Sequence, residues 1–106
     1  MALIEPHGGT LRVLYLPSDQ AAALKREASA YPSWDLTQRQ LCDVKLLLNG
    51  GFSPLTGFLG EQDYEQVVER MRLLDGTLWP IPVTLDVSRK FVDGLRPGQQ
   101  IGLRDP

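Results

Sequence analysis

The chain has 106 residues, 42% of them hydrophobic and 23% charged, with a formal net charge of -2. That is enough for one domain with a single modest core. There is no basic surplus to neutralise a phosphate backbone, which argues against nucleic acid as a partner. No apolar run approaches the roughly 20 residues that a membrane helix needs.

Residues 1–9 lack the basic start and apolar stretch of a signal segment. The single cysteine, Cys42, excludes an internal disulfide and a cysteine-rich zinc site. A reduced, cytoplasmic setting fits it best.

Pro6-His7-Gly8-Gly9 predicts a turn, followed by a short strand over residues 11–16. Pro17-Ser18 breaks that strand, and Ser18 is placed to cap a surface helix over residues 19–30, which are rich in Ala, Leu, Lys, Arg and Glu. The next helix is the most strongly marked. In Leu36-Thr37-Gln38-Arg39-Gln40-Leu41, Thr37 and Gln40 form a capping box, and Leu36 can staple onto Leu41. Asn49-Gly50-Gly51 closes the helix, because glycine readily takes the left-handed conformation of a C-cap. Leu41, Val44, Leu47 and Leu48 share one face, while Cys42 and Leu46 lie well round from them. A helix apolar on nearly all sides is normally covered on more than one side. This one is expected to pack into its own domain and also against something else.

Residues 52–59 (FSPLTGFL) form an apolar loop. Residues 61–70 predict a second amphipathic helix, with Tyr64, Val67, Val68 and Met71 as its core-facing stripe. Asp75-Gly76 signals a turn. Ile81, Val83, Leu85 and Val87 then alternate with Pro82, Thr84 and Asp86, as in a strand buried on one face. Pro80 and Pro82 put the start of that strand at a sheet edge. Ser88 is placed to cap a short helical turn through Phe91, Pro97-Gly98 makes a turn, and residues 100–104 begin a strand. The chain stops two residues later, as if cut from something longer. No βαβ rhythm is visible, so the expected class is mixed α and β with antiparallel strands.

Few residues carry chemistry. His7 is the only histidine, and in its turn it reads as a surface or hydrogen-bonded loop residue rather than a general acid or base. The paired glycines at 8–9 and 50–51 match no phosphate-loop spacing and read as turn and cap positions. Arg39, Arg70 and Arg72 could meet an anion, though solvated arginines are the commoner case. Arg39 sits in the first turn of its helix, where the dipole disfavours a cation, which hints at a carboxylate partner. Cys42 has no histidine nearby and reads as a buried small hydrophobe. Trp34 and Trp79 read as core or interface rather than as base-stacking platforms.

Three stretches carry a resemblance that these single residues do not. They are Pro6-His7-Gly8-Gly9; Leu36-Thr37-Gln38-Arg39-Gln40-Leu41-Cys42-Asp43 with Leu48-Asn49-Gly50-Gly51-Phe52-Ser53-Pro54-Leu55-Thr56-Gly57-Phe58; and Asp75-Gly76-Thr77-Leu78-Trp79-Pro80-Ile81-Pro82-Val83-Thr84-Leu85-Asp86-Val87. In sequence, order and spacing the chain resembles the N-terminal part of the ATP sulfurylase (sulfate adenylyltransferase) family over essentially its whole length.

The resemblance implies an α+β fold: a PUA-like domain, a small β-rich pseudo-barrel with flanking helices, over residues 1–106 and truncated at its C-terminal end. It also implies a nucleotide-binding catalytic domain downstream in the same polypeptide, with ATP and sulfate as substrates of the parent enzyme. Some members carry a fused adenylyl-sulfate kinase, and a homo-oligomer is compatible with the family. The family's active-site signatures, Gln-x-Arg-Asn-Pro and His-x-x-His, are absent, since Asn49 is the only asparagine and Gly50 follows it. No catalytic, cofactor or metal residue is therefore expected here. The expected function is a structural domain whose candidate interdomain or subunit interface comprises Arg39, Cys42, Leu46, Asn49, Phe52 and Phe58. The rival expectation is a stand-alone PUA-like module that binds RNA or protein.

Overall fold

Local signals near turns and helix ends account for most of the regular structure. A computed structural model describes residues 4–106, so part of the signal-segment expectation for residues 1–9 lies outside the described residues. The elements in chain order are a 3-10 turn His7–Gly9, α1 Ser18–Ala28, β1 Ser33–Asp35, α2 Gln38–Leu48, α3 Glu61–Arg70, α4 Arg89–Asp93 and β2 Gly102–Arg104. The chain divides into two compact units. One comprises residues up to Leu14 with Cys42–Leu85, the other Tyr15–Leu41 with Asp86–Pro106.

In the first unit the core is Leu47 of α2, Leu55, Val67 of α3, Leu73, Trp79 and Val83, with Phe52, Phe58 and Leu59 packed against it. Phe52 meets Trp79 edge-on, with ring centroids 5.8 Å apart, a favoured aromatic geometry. The Asp75-Gly76 turn forms as expected. Leu73 N–H bonds Thr77 O at 2.9 Å, Trp79 N–H bonds Met71 O at 2.8 Å, and Asp75 Oδ1 accepts Thr77 N–H at 2.9 Å. Gly76 supplies the positive φ of 90° that this turn requires.

The α2 C-terminus is closed by Gly50 at φ 84°. Its carbonyl accepts both the N–H and the hydroxyl of Ser53, at 3.1 and 2.7 Å. A Cβ at Gly50 would also stand 2.8 Å from Leu11 Cδ1.

Two expected strands of this unit do not form ladders. Residues 11–14 form no regular element; Leu14 N–H goes to Leu48 O at 2.8 Å and Arg12 N–H to Ser53 Oγ at 2.8 Å. Those two donors are committed to a helix end and a hydroxyl, so on that side the segment has no strand neighbour among the described residues. The segment from Ile81 likewise forms no strand; its Val83 O accepts Leu59 N–H at 2.8 Å. Pro80 and Pro82 have no N–H to give. The alternation holds at Val83, 2% exposed, and fails at Ile81, 58% exposed.

The α3 boundaries agree with expectation, but the stripe does not. Only Val67 is buried, while Tyr64, Val68 and Met71 are exposed. A ten-residue helix resting on a small core inserts one residue into it. The neighbouring apolar positions have no cover among the described residues.

In the second unit, β1 and β2 form a two-stranded parallel sheet pairing Ser33 with Gly102, Trp34 with Leu103 and Asp35 with Arg104. For this sheet the antiparallel expectation is corrected, while the isolated bridge between Arg72 and Leu78 in the first unit is antiparallel. The two strands are joined by a long crossover rather than a tight turn, so nothing local imposes reversal. The strand begun near residue 100 is confirmed as β2, whereas β1 was not expected. The Pro97-Gly98 turn is present, with Gln99 N–H on Arg96 O at 3.0 Å. Ser88 caps α4 by accepting Phe91 N–H at 3.2 Å.

The surface helix α1 buries no residue, as expected, but Ser18 is its first helical residue and makes no capping bond. Pro17 holds the cap position instead.

The contrast within α3 gives a direct check. Val67→Ala should destabilise the protein by about 2 kcal/mol through lost burial and a residual cavity. Val68→Ala, one position on, should stay within about 0.5 kcal/mol. Urea denaturation of both variants measures the difference.

Candidate interface and polar node

The α2 N-terminus is built around one buried amide. Thr37 Oγ1 accepts Gln40 N–H at 3.2 Å, and Gln40 Oε1 returns to accept Thr37 N–H at 3.0 Å. This is the capping box expected from the sequence. Gln40 does more than cap. It is 1% exposed, its Oε1 also accepts the Trp34 indole N–H at 3.0 Å, and its Nε2 donates to the Asp86 backbone carbonyl and, at 3.3 Å, to Asp86 Oδ1. One side chain therefore connects β1, the helix start and the chain just before α4. Trp34 completes the group by packing on Phe91 of α4 at 5.3 Å. Leu36 is buried at 6% exposure.

Arg39 has the carboxylate partner that its position suggested. Its guanidinium donates to Asp86 Oδ1. Both side chains are largely exposed, at 62% and 78%, so the pair stabilises little by itself. The Asp86 carboxylate lies below the usual carboxylate range. Its own backbone N–H is the largest cause, the Gln40 amide the next, and the Arg39 charge a smaller one. Asp75 is lowered in the same direction by the Thr77 N–H and hydroxyl.

The other candidate interface residues lie in the first unit and are described with it. Cys42 is exposed, which corrects the expectation of a buried small hydrophobe: its side of α2 has no cover among the described residues. Leu46, one turn on, is 38% exposed. Asn49 caps the helix end, its Oδ1 accepting Gly51 N–H at 2.8 Å, and Phe52 N–H reaches back to Leu46 O at 3.1 Å. Leu46, Asn49 and Phe52 are thus gathered at one end of α2. Phe58 lies apart, half-buried against the core and lining a cleft of about 390 Å³ that also takes in Arg12, Asp63 and Asp75. Both of those carboxylates are engaged by backbone N–H groups, of Leu74 and Thr77.

His7 is a hydrogen-bonded surface residue, with Nε2 on Leu78 O and the ring 6.0 Å from Trp79. Trp79 is core and Trp34 is half-buried, as expected of core or interface residues. Among the described residues no three His, Cys, Asp or Glu side chains converge as a metal site. No described helix is long and apolar enough to cross a membrane. The sequence pointed to Gln40 only as a cap; nothing local announced Trp34 and Asp86 as its other partners.

Two outcomes follow. Gln40→Ala should destabilise by about 2–3 kcal/mol, because it leaves buried groups unpaired, whereas Thr37→Ala should cost about 1 kcal/mol as a lost cap. Thermal or urea unfolding reads both. The second concerns pH. A depressed folded value means the ionised carboxylate stabilises the fold above the ordinary value of about 4. That contribution fades as pH falls through the folded value. Asp86→Asn should therefore flatten the acid limb of a stability-versus-pH curve and leave the neutral limb parallel to that of the unaltered protein.

Comparison with known proteins places this architecture. Residues 4–106 match the PUA-like domain family. The chain is 51% identical over 102 residues to a sulfate adenylyltransferase of Eremothecium gossypii, covering 95% of this chain and 20% of that protein. It is 52% identical over 103 residues to a sulfate adenylyltransferase of Coccidioides immitis, covering 94% of this chain and 18% of that one. A solved structure described as a hexameric APS kinase from Thiobacillus denitrificans aligns with a TM-score of 0.85 and 42% identity, over 97% of this chain and 21% of that chain. The chain thus spans about a fifth of the length of these relatives. With a family match running from residue 4 to its last residue and a fold shared with a solved relative, the chain belongs to the PUA-like domain family.

Proposed function

We propose that the chain is the N-terminal, non-catalytic structural domain of a sulfate adenylyltransferase. The observation that carries this reading is the identity of about half to sulfate adenylyltransferases over 95% of the chain. In this reading the parent enzyme joins sulfate to the α-phosphorus of ATP and releases pyrophosphate, in cytoplasmic sulfur metabolism. ATP and sulfate are held by a catalytic domain further along the same polypeptide. Residues 1–106 then supply one PUA-like domain, whose irregular segments belong to a pseudo-barrel completed by polypeptide beyond residue 106. The relative described as hexameric supports a homo-oligomeric parent, and a fused adenylyl-sulfate kinase domain fits the same comparison.

The chemistry of the residues supports a scaffold role. Adenylyl transfer depends on positioned cationic donors around the phosphates. Here Arg39 is held by Asp86, Arg104 by Asp35 at 3.0 Å, and His7 by a backbone carbonyl. These groups serve the fold. The apolar, exposed side of α2 at Cys42 and Leu46, with Asn49 and Phe52 at its end, is the surface we assign to the junction with the catalytic domain or another subunit, and Phe58 of the same unit is a separate candidate. Arg39 is the candidate contributed by the second unit.

Cys42 provides the test. Its exposed thiol should react readily with a soluble disulfide reagent in the 106-residue chain and several-fold more slowly in a sulfate adenylyltransferase carrying this sequence. Leu46→Asp in the longer protein should restore fast labelling. Equal labelling in short and long proteins would remove the junction from this face.

A further inference from the structure

The exposed stripe of α3 has no role in the junction just described, and it has a definite character. Tyr64, Val68 and Met71 are 43%, 59% and 55% exposed. Tyr64 and Val68, at i and i+4, are neighbours on the helix surface, Met71 follows at the C-cap, and this ridge lies alongside the line on which Val67 enters the core. Met71 takes a left-handed backbone conformation, φ 55°, uncommon for a residue with a side chain. Beside Tyr64 lies an open groove of about 330 Å³, lined by Leu59, Gly60, Glu61, Tyr64, Thr84 and Leu85.

A second row runs along the outer side of the ridge. Glu61, Glu65 and Glu69 repeat at i, i+4 and i+8, and all three are exposed. Among the described residues none of them has an ion-pair partner; the ion pairs join Arg39 to Asp86 and Arg104 to Asp35. Like charges four residues apart disfavour a helix, so beyond Glu61, which the helix dipole favours in the first turn, the row brings α3 no ion-pair support. An apolar ridge bounded on one side by an unneutralised acidic row is complementary to a particular kind of partner. That partner presents an apolar face and, alongside it, lysines or arginines.

We propose that the Tyr64–Val68–Met71 ridge of α3, with the groove beside Tyr64, is a docking surface for a cationic amphipathic helix of a partner polypeptide. Apolar side chains of the partner cover the ridge and one of them enters the groove. Its basic row faces Glu61, Glu65 and Glu69. Helices that lay an apolar face into such a groove are recognised through anchors at this spacing, and the facing charges set orientation and exclude acidic competitors. The proposal does not depend on the identity of the parent enzyme.

The test titrates the 106-residue chain with a short amphipathic helical peptide of leucine and lysine, beside a leucine–glutamate counterpart of the same pattern. We expect the lysine peptide to bind and the glutamate peptide not to. Val68→Asp should weaken binding at least about tenfold, and so should the triple change E61Q/E65Q/E69Q. Val92→Asp, the same change at an exposed valine of α4, should leave binding unaltered. Met71→Ser serves as the second apolar variant if Val68→Asp alters the circular dichroism spectrum. Three results would overturn the proposal: no binding of the lysine peptide, the same loss in the Val92 variant as in the α3 variants, or sedimentation showing a dimer that Val68→Asp dissociates. The last would mean that a second copy covers the ridge.

Discussion

One buried amide organises the second unit of this protein. Gln40 accepts from Thr37 and Trp34 and donates to Asp86, joining residues 46 apart in sequence. A primary amide has two donor and two acceptor positions, and this one uses both kinds with almost no solvent access. Removing Gln40 itself leaves its buried partners unsatisfied, which costs more than a typical hydrogen bond contributes. The start of α2, β1 and the approach to α4 are therefore fixed together.

The first unit depends on a different balance. Six buried hydrophobic residues form its core, while other large apolar residues stay outside. Leu46 on α2 and Tyr64, Val68 and Met71 on α3 are all exposed. Scattered surface hydrophobics are ordinary, but ordered stripes on helices mark surfaces that meet other polypeptide. The two stripes differ in their surroundings. That on α2 adjoins a cap and an apolar loop, whereas that on α3 is edged by three glutamates. Chemically distinct edges suit distinct partners.

Sequence and structure agree wherever the deciding contacts are local. The Thr37–Gln40 box, the Ser88 cap and the Asp75-Gly76 turn each close within three residues, so their signals survive without knowledge of the fold. Arg39 was a partial success. Its misfit with the helix dipole implied a carboxylate, but Asp86 lies 47 residues away and could not be named. The β1–β2 pairing was illegible for the same reason, since three-residue strands so far apart in sequence carry little pattern. Periodicity marked Tyr64, Val67, Val68 and Met71 as one apolar stripe, yet it says nothing about what covers each member. The burial typical of a free cysteine fails at Cys42 on the same ground, because residue type alone does not say whether neighbours cover it. Of the candidate interface, the apolar character of α2 was readable; the gathering of Leu46, Asn49 and Phe52 at its end depended on the Gly50 turn.

Among the described residues Gln40, Arg39, Asp86 and His7 are engaged in holding the chain. The most direct measurement is pyrophosphate release from ATP and sulfate by the purified 106-residue chain. A scaffold domain should give none above the uncatalysed background. Turnover that co-purifies with this chain and vanishes on its removal would contradict the account.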